Sequence, residues 1–181
     1  APVFHCGPSR YAAAFREDLE AVLDSTDALM VMGSDWSRPL FAHMPKLRDR
    51  SAVLLQTSRE RFGWVSPSDG TAVRSTGNVL TLLLLPVAFA LGDRIEVAGC
   101  DGRNPDENYF WKHNASTQYP DDLMQTAFAA HPGFFKDRDY VDYYEEHCEQ
   151  LREFVESAEQ SGKTVSSVTE SFIPVLVERS E

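Results

Sequence analysis

The most constraining feature of this sequence is a 13-residue apolar run, Val79 to Leu91, which ends at Gly92 and leads into the β-type segment Ile95-Glu96-Val97-Ala98. A helix apolar on all sides must be buried. The run contains Pro86 and falls short of the roughly 20 residues that a bilayer span takes. A buried helix feeding a strand is the solution that remains, with Gly92 at the helix C-terminal cap. That unit needs a core around it, and 181 residues can supply one.

The same alternation runs along the chain. Val3 to His5, Ala28 to Met32, Ala52 to Gln56 and Thr164 to Val168 read as strands. Tyr11 to Leu23 carries apolar residues at helical spacing, with Ser9 as its N-cap. Pro39 to Leu47 reads as a short helix broken at Pro45. Gly63 to Gly70 reads as a loop, and a helix is expected to follow Ser75-Thr76-Gly77 and run to about Leu91. Asn104 to Tyr119 reads as a polar, aromatic loop and Asp121 to Ala129 as a short helix. Tyr140 to Ser161 reads as a long amphipathic helix, with Tyr140, Tyr144, Leu151, Phe154, Val155 and Ala158 on its apolar side. From Asp139 to Glu159 there are eight acidic residues and one Arg, Arg152, the mark of a solvated face. Strands alternating with helices predict an α/β fold: a Rossmann-like three-layer α/β/α domain with a mostly parallel sheet. A single domain is expected over 1–181, and the abrupt start at Ala1 reads as the interior of a longer chain.

Charge narrows the partners. A formal net charge of -11 argues against a sequence-independent nucleic-acid binder, which needs clustered Lys and Arg. A few Arg residues and backbone N–H groups can still hold a phosphate. Cys6, Cys100 and Cys148 have no metal-ligand spacing and read as reduced thiols of a cytoplasmic protein. Asp101, Asn104, Asp106 and Asn108 lack the EF-hand pattern, so no metal is expected.

In open α/β sheets ligands bind beyond the carboxyl ends of the strands. Two such places carry suggestive residues. Gly99-Cys100-Asp101-Gly102-Arg103 offers two glycines for close approach, an acceptor and a guanidinium fork. Arg74-Ser75-Thr76-Gly77 precedes the apolar helix with hydroxyls and a cation, a suitable setting for an anion. Taken singly, one is an ordinary polar turn and the other an N-cap with a surface Arg. Joined by one helix and one strand, they predict one nucleotide-type pocket.

From Arg74 to Arg103 the chain resembles the bacterial sialyltransferases of glycosyltransferase family 42. That family has Arg followed by Thr-Ser-Gly or similar, an Ala- and Leu-rich helix ending Leu-Gly, and a strand ending Gly-x-Asp. The counterparts here are Arg74-Ser75-Thr76-Gly77, Ala88-Phe89-Ala90-Leu91-Gly92 and Ile95 to Asp101. Val3-Phe4-His5 with Pro8-Ser9 resembles the family's strand and Pro-Ser turn. The likeness is close over about 30 residues and loose over about 100. It implies a metal-independent, inverting transferase without a cofactor, moving a sugar from a CMP-activated donor to a glycan acceptor in surface polysaccharide synthesis. The expected location is cytoplasmic, peripheral to the inner membrane, with no transmembrane segment.

The resemblance also implies roles. Ser75, Thr76 and Gly77 would lie by the nucleotide, and Arg74 near the phosphate. Gly99 and Asp101 would flank the cytidine and ribose, and Tyr109 would bind phosphate. Gly102-Arg103 stands where the family has an aromatic pair, so Arg103 would replace a phosphate-binding hydroxyl. The general base would be His131 or its rival His113. His43 and His147 read as structural or solvated. The family's N-terminal Gly-rich nucleotide loop has no counterpart here. Two other readings stay open. One is a non-catalytic nucleotide- or sugar-binding module of a larger enzyme. The other is a pterin diphosphokinase-like transferase using ATP and Mg²⁺, for which Asp35 with Asp101 is the visible carboxylate pairing.

Overall fold

The computed structural model describes residues 7–58, 63–66, 70–102, 125–126, 129–130 and 140–180. The expected strand at Val3 to His5 and the aromatic loop at Asn104 to Tyr119 lie outside them. The fold is mixed α/β with short parallel sheets. The chain forms two compact units, one of residues 1–54 and 113–139, the other of residues 55–112 and 140–181.

The first unit opens with helix α1, Arg10–Ser25. Ser9 caps it, its side chain accepting from Ala12 N–H at 3.1 Å. Strand β1, Met30–Gly33, pairs in parallel with the first half of β2, Ser51–Thr57, from Met30 opposite Ser51 to Gly33 opposite Leu54. Helix α2, Ser34–His43, and a 3-10 segment, Pro45–Arg50, connect them. Here the structure corrects the expected helix at Pro39 to Leu47. Gly33 acts as the N-cap of α2, which starts at Ser34, and Pro39 lies inside the helix. The tighter 3-10 segment starts at Pro45, whose fixed φ suits a first helical position. Leu23, Met32, Leu40, Met44 and Leu47 form the core of this unit.

In the second unit, the last residues of β2 pair in parallel with β3, Ala72–Arg74. Three residues are too few for alternation to reveal, so β3 went unread. The apolar run follows as a π-helical turn, Leu80–Leu84, then α3, Leu85–Leu91, capped by Gly92. The helical run begins at Val79, close to where it is expected after Gly77, and residues 75–78 are a non-helical link. Pro86 has no N–H, and its ring would meet the Leu82 carbonyl in a regular α-helix. The turn ahead of it widens, and Leu85 N–H bonds Leu80 C=O five residues back.

Strand β4, Arg94–Val97, pairs in parallel with β5, Thr164–Ser167. The connection between them contains helix α4, Tyr140–Gln160. Leu151, Phe154, Val155 and Ala158 are 0% exposed, spaced i, i+3, i+4, i+7 as the buried face of a helix requires. They share a core with Leu85, Phe89, Val97 and Val165. The Phe154 ring stacks on Phe89 with centroids 5.7 Å apart. A last short turn, α5, Pro174–Val177, adds Val175 and Leu176. Lys163 sits over the Trp64 and Phe89 rings and donates to Phe89 C=O at 3.0 Å, fixing the end of α3.

Phe154→Ala is expected to cost about 3–5 kcal/mol, read as a lower urea midpoint. Glu149→Ala, on the exposed face of α4, is expected to change stability by less than about 0.5 kcal/mol in the same measurement.

Candidate functional site

The turn that follows β4 is built by its glycines and latched by the loop that follows β5. Gly99 and Gly102 have φ of 69° and 73°, the left-handed region that side chains avoid. A Cβ at Gly102 would also stand 2.7 Å from Ile173 Cγ1. Gly99 N–H donates to Thr169 Oγ1 at 2.9 Å. Ser171 Oγ donates to Cys100 C=O at 2.7 Å, and Phe172 N–H to Asp101 C=O at 2.6 Å. Three bonds thus clamp the backbone of the turn from behind, at the carboxyl end of the β4–β5 pair.

The link before the apolar helix is knotted on itself. Asn78 Oδ1 accepts from Leu80 N–H at 2.8 Å. The Thr76 and Thr81 hydroxyls lie 2.9 Å apart, and both also donate to Asn78 C=O. Gly77 C=O accepts from the Tyr143 hydroxyl at 2.8 Å. Ser75 N–H donates to Thr57 C=O at 2.8 Å.

These two segments wall one cavity of about 230 Å³, with α4 as its third side. Asn78 comes from the end of the link, Val79, Leu80 and Leu84 from the helical run after it, and Gly99, Cys100, Asp101 and Gly102 from the turn after β4. Tyr143, Tyr144 and His147 come from α4, and Ile173 closes the set. Most of these present apolar surface. Among the described residues, no Lys or Arg lines the cavity. Its size is below the ~300–1,000 Å³ of drug-sized pockets. It has room for one ring system, with the rest of any larger ligand outside.

The expected site residues fall into three groups. Gly99, Asp101 and Gly102 line the cavity, joined by Asn78 from the next position along the link. Gly77 borders a smaller adjoining hollow with Tyr143, Glu146 and His147. Arg74, Ser75 and Thr76 line neither. The Arg74 guanidinium pairs with Glu153 at 2.8 Å, and the Thr76 hydroxyl is turned inward. His131, His113, Arg103 and Tyr109 lie outside the described residues.

The residues that sequence reading missed are on α4. Tyr143, Tyr144 and His147 were hidden by the acidity of the helix around them. The available signal was spacing: His147 is four residues before Leu151 and continues the buried stripe. It is 9% exposed. Burial holds its imidazole below its ordinary value. Burial, with the Asp101 carboxylate beside it, pushes the Cys100 thiol up, so the thiol is protonated and a poor nucleophile at neutral pH. Among the described residues, no cluster of His, Cys, Asp and Glu is arranged to hold a metal ion, and no helix is long and apolar enough to cross a membrane.

No protein-family model, curated protein or solved structure matches this chain.

The buried imidazole has a consequence for stability. Free histidine titrates near 6.5, and folded His147 lies lower. As pH falls below about 6.5 the unfolded chain takes up a proton that the folded chain resists, so His147 subtracts from stability until its folded pKa is passed. Above that window it adds no slope. The stability difference between His147→Gln and the native chain should therefore move in favour of the variant as pH is lowered from about 7.5 to about 5.5. Urea midpoints across that range measure it, and a flat difference refutes it.

Proposed function

We propose that this chain is the donor-binding part of a sialyltransferase-like glycosyltransferase, a Rossmann-like α/β domain that holds a CMP-activated sugar for transfer to a glycan acceptor. One observation carries the reading. The turn after β4 and the start of the apolar helix at Asn78, joined by one helix and one strand and singly unremarkable, wall the same cavity at the carboxyl end of a parallel strand pair. That is where open α/β sheets bind nucleotides. The turn, and the Arg74 to Gly77 motif that ends one residue before Asn78, carry the resemblance to the bacterial sialyltransferases.

In this reading the nucleoside end of the donor enters beside Asp101 and the tyrosines, and the phosphate stays outside. Buried anions need cations, and Asp101 would repel one. Arg103 and Tyr109 stabilise the departing CMP phosphate, and His131 or His113 takes the acceptor proton. The reaction is a single, metal-independent displacement with inversion, in surface polysaccharide synthesis on the cytoplasmic side. A second reading, a non-catalytic nucleotide- or sugar-binding module, draws support from Arg74. Its guanidinium is engaged with Glu153 rather than set at the cavity.

Two measurements test this. At a hundredfold excess over its Kd, CMP should stabilise the fold by about 2.7 kcal/mol. For a chain of this size that is a rise in Tm of about 5–10 °C. No shift at millimolar CMP sinks the proposal, and a shift with ATP and Mg²⁺ alone replaces it with a pterin diphosphokinase-like transferase. The paired change His113→Ala with His131→Ala should lower sugar transfer by about 10²–10⁴-fold and leave the CMP shift intact. Unchanged transfer would remove both histidines from the chemistry.

A further inference from the structure

Four polar side chains are buried among the described residues: Ser9, Thr81, His147 and Ser167. Three have partners. Ser9 Oγ caps Ala12 N–H, Thr81 Oγ1 meets Thr76 Oγ1, and Ser167 Oγ donates to Thr169 C=O. His147 is the exception. Its Nδ1 is shielded from solvent and has no hydrogen-bond partner. An orphaned buried polar group is destabilising. The position continues the stripe of Leu151 and Phe154, so an apolar residue there would pack without that cost.

The ring as a whole also borders open space. His147 lines both the 230 Å³ cavity and the smaller hollow beside it, the wall they have in common. The neighbouring tyrosines have committed their hydroxyls, Tyr143 to Gly77 C=O and Tyr144 to Phe172 C=O, and offer the cavity ring surface. Asn78 has spent its side-chain oxygen on Leu80. The π-turn that supplies Leu80 and Leu84 to the same wall is a feature found often at functional sites.

We propose that His147 is the residue that reads the ligand: the cavity takes an uncharged heterocyclic ring, and the His147 imidazole supplies a hydrogen bond to its edge. Under the nucleotide reading above, on which the choice of ring rests, that ring is the base of the donor. A neutral imidazole has one N–H and one lone pair, so the nitrogen that meets the ligand offers it a donor or an acceptor according to the tautomer. The titratable groups that line these hollows with it are Tyr143 and Tyr144 from its own helix, Glu146 at the smaller hollow, and Cys100 and Asp101 from the turn after β4.

The test uses the full chain with CMP, cytidine, uridine, adenosine, guanosine and ribose 5-phosphate, each titrated calorimetrically. Native protein, His147→Gln and His147→Phe are compared. Cytidine should bind the native chain and ribose 5-phosphate should not. His147→Phe should weaken cytidine at least about tenfold, the loss of one hydrogen bond. His147→Gln, which keeps a donor and an acceptor, should retain most of the affinity. Cytidine affinity unchanged in His147→Phe overturns the inference and leaves the nucleotide reading standing. A different nucleoside bound in a His147-dependent way upholds the inference and overturns the CMP assignment. No binding of any of them to the native chain overturns both. Should His147→Phe fail to fold, the imidazole ¹⁵N resonances of His147 in the native chain decide: they move on adding cytidine, or the inference falls.

Discussion

The buried face of α4 is the surface on which the second unit is assembled. Leu151, Phe154, Val155 and Ala158 are fully shielded from water, and they bring together α3, β4 and β5 through contact with Phe89, Val97 and Val165. Each of those elements is short. β4 and β5 have four residues apiece and α3 has seven. Elements of that length hold their shape through tertiary packing rather than through their own hydrogen bonds. The loops beyond the strands are then positioned by what the helix fixes behind them. The clamp of Thr169, Ser171 and Phe172 on the turn after β4 presupposes that β4 and β5 already lie side by side.

The same face changes character along its length. Toward its C-terminal end it is closely packed. Toward its N-terminal end it carries Tyr143, Tyr144 and His147, and there it stands back from the turn and leaves the cavity. Core and site are continuous, two ends of one stripe. A binding site placed this way inherits the rigidity of the core, which helps keep a small cavity open without a ligand in it.

Much of this was legible in the sequence where periodicity runs long. α1 and α4 are found where helical spacing places them, and β4 and β5 bracket α4 as expected. What escaped was short or punctuated. β3 has three residues, too few for a pattern. Pro39 was read as the first residue of a helix, where proline fits, and the structure holds it inside α2 instead. At the site, the Gly99 and Gly102 turn was legible because positive φ leaves a compositional trace. The role of Arg74 was not, since its partner Glu153 is 79 residues away. His147 was obscured for the opposite reason: its immediate neighbours Glu145, Glu146 and Glu149 are acidic, and local charge says nothing of which way a helical residue faces.

The π-turn at Leu80–Leu84 has a meaning for how such a chain could arise and vary. A π-turn is an α-helix that has gained one residue without losing its ends. Removing one residue between Asn78 and Leu84 would let the ladder close in the α pattern while both ends of the helix kept their facing. The wall that the widened turn presents to the cavity would change, while α3 and its core contacts stayed in place. A single-codon deletion is thus enough to reshape this wall without disturbing the scaffold behind it.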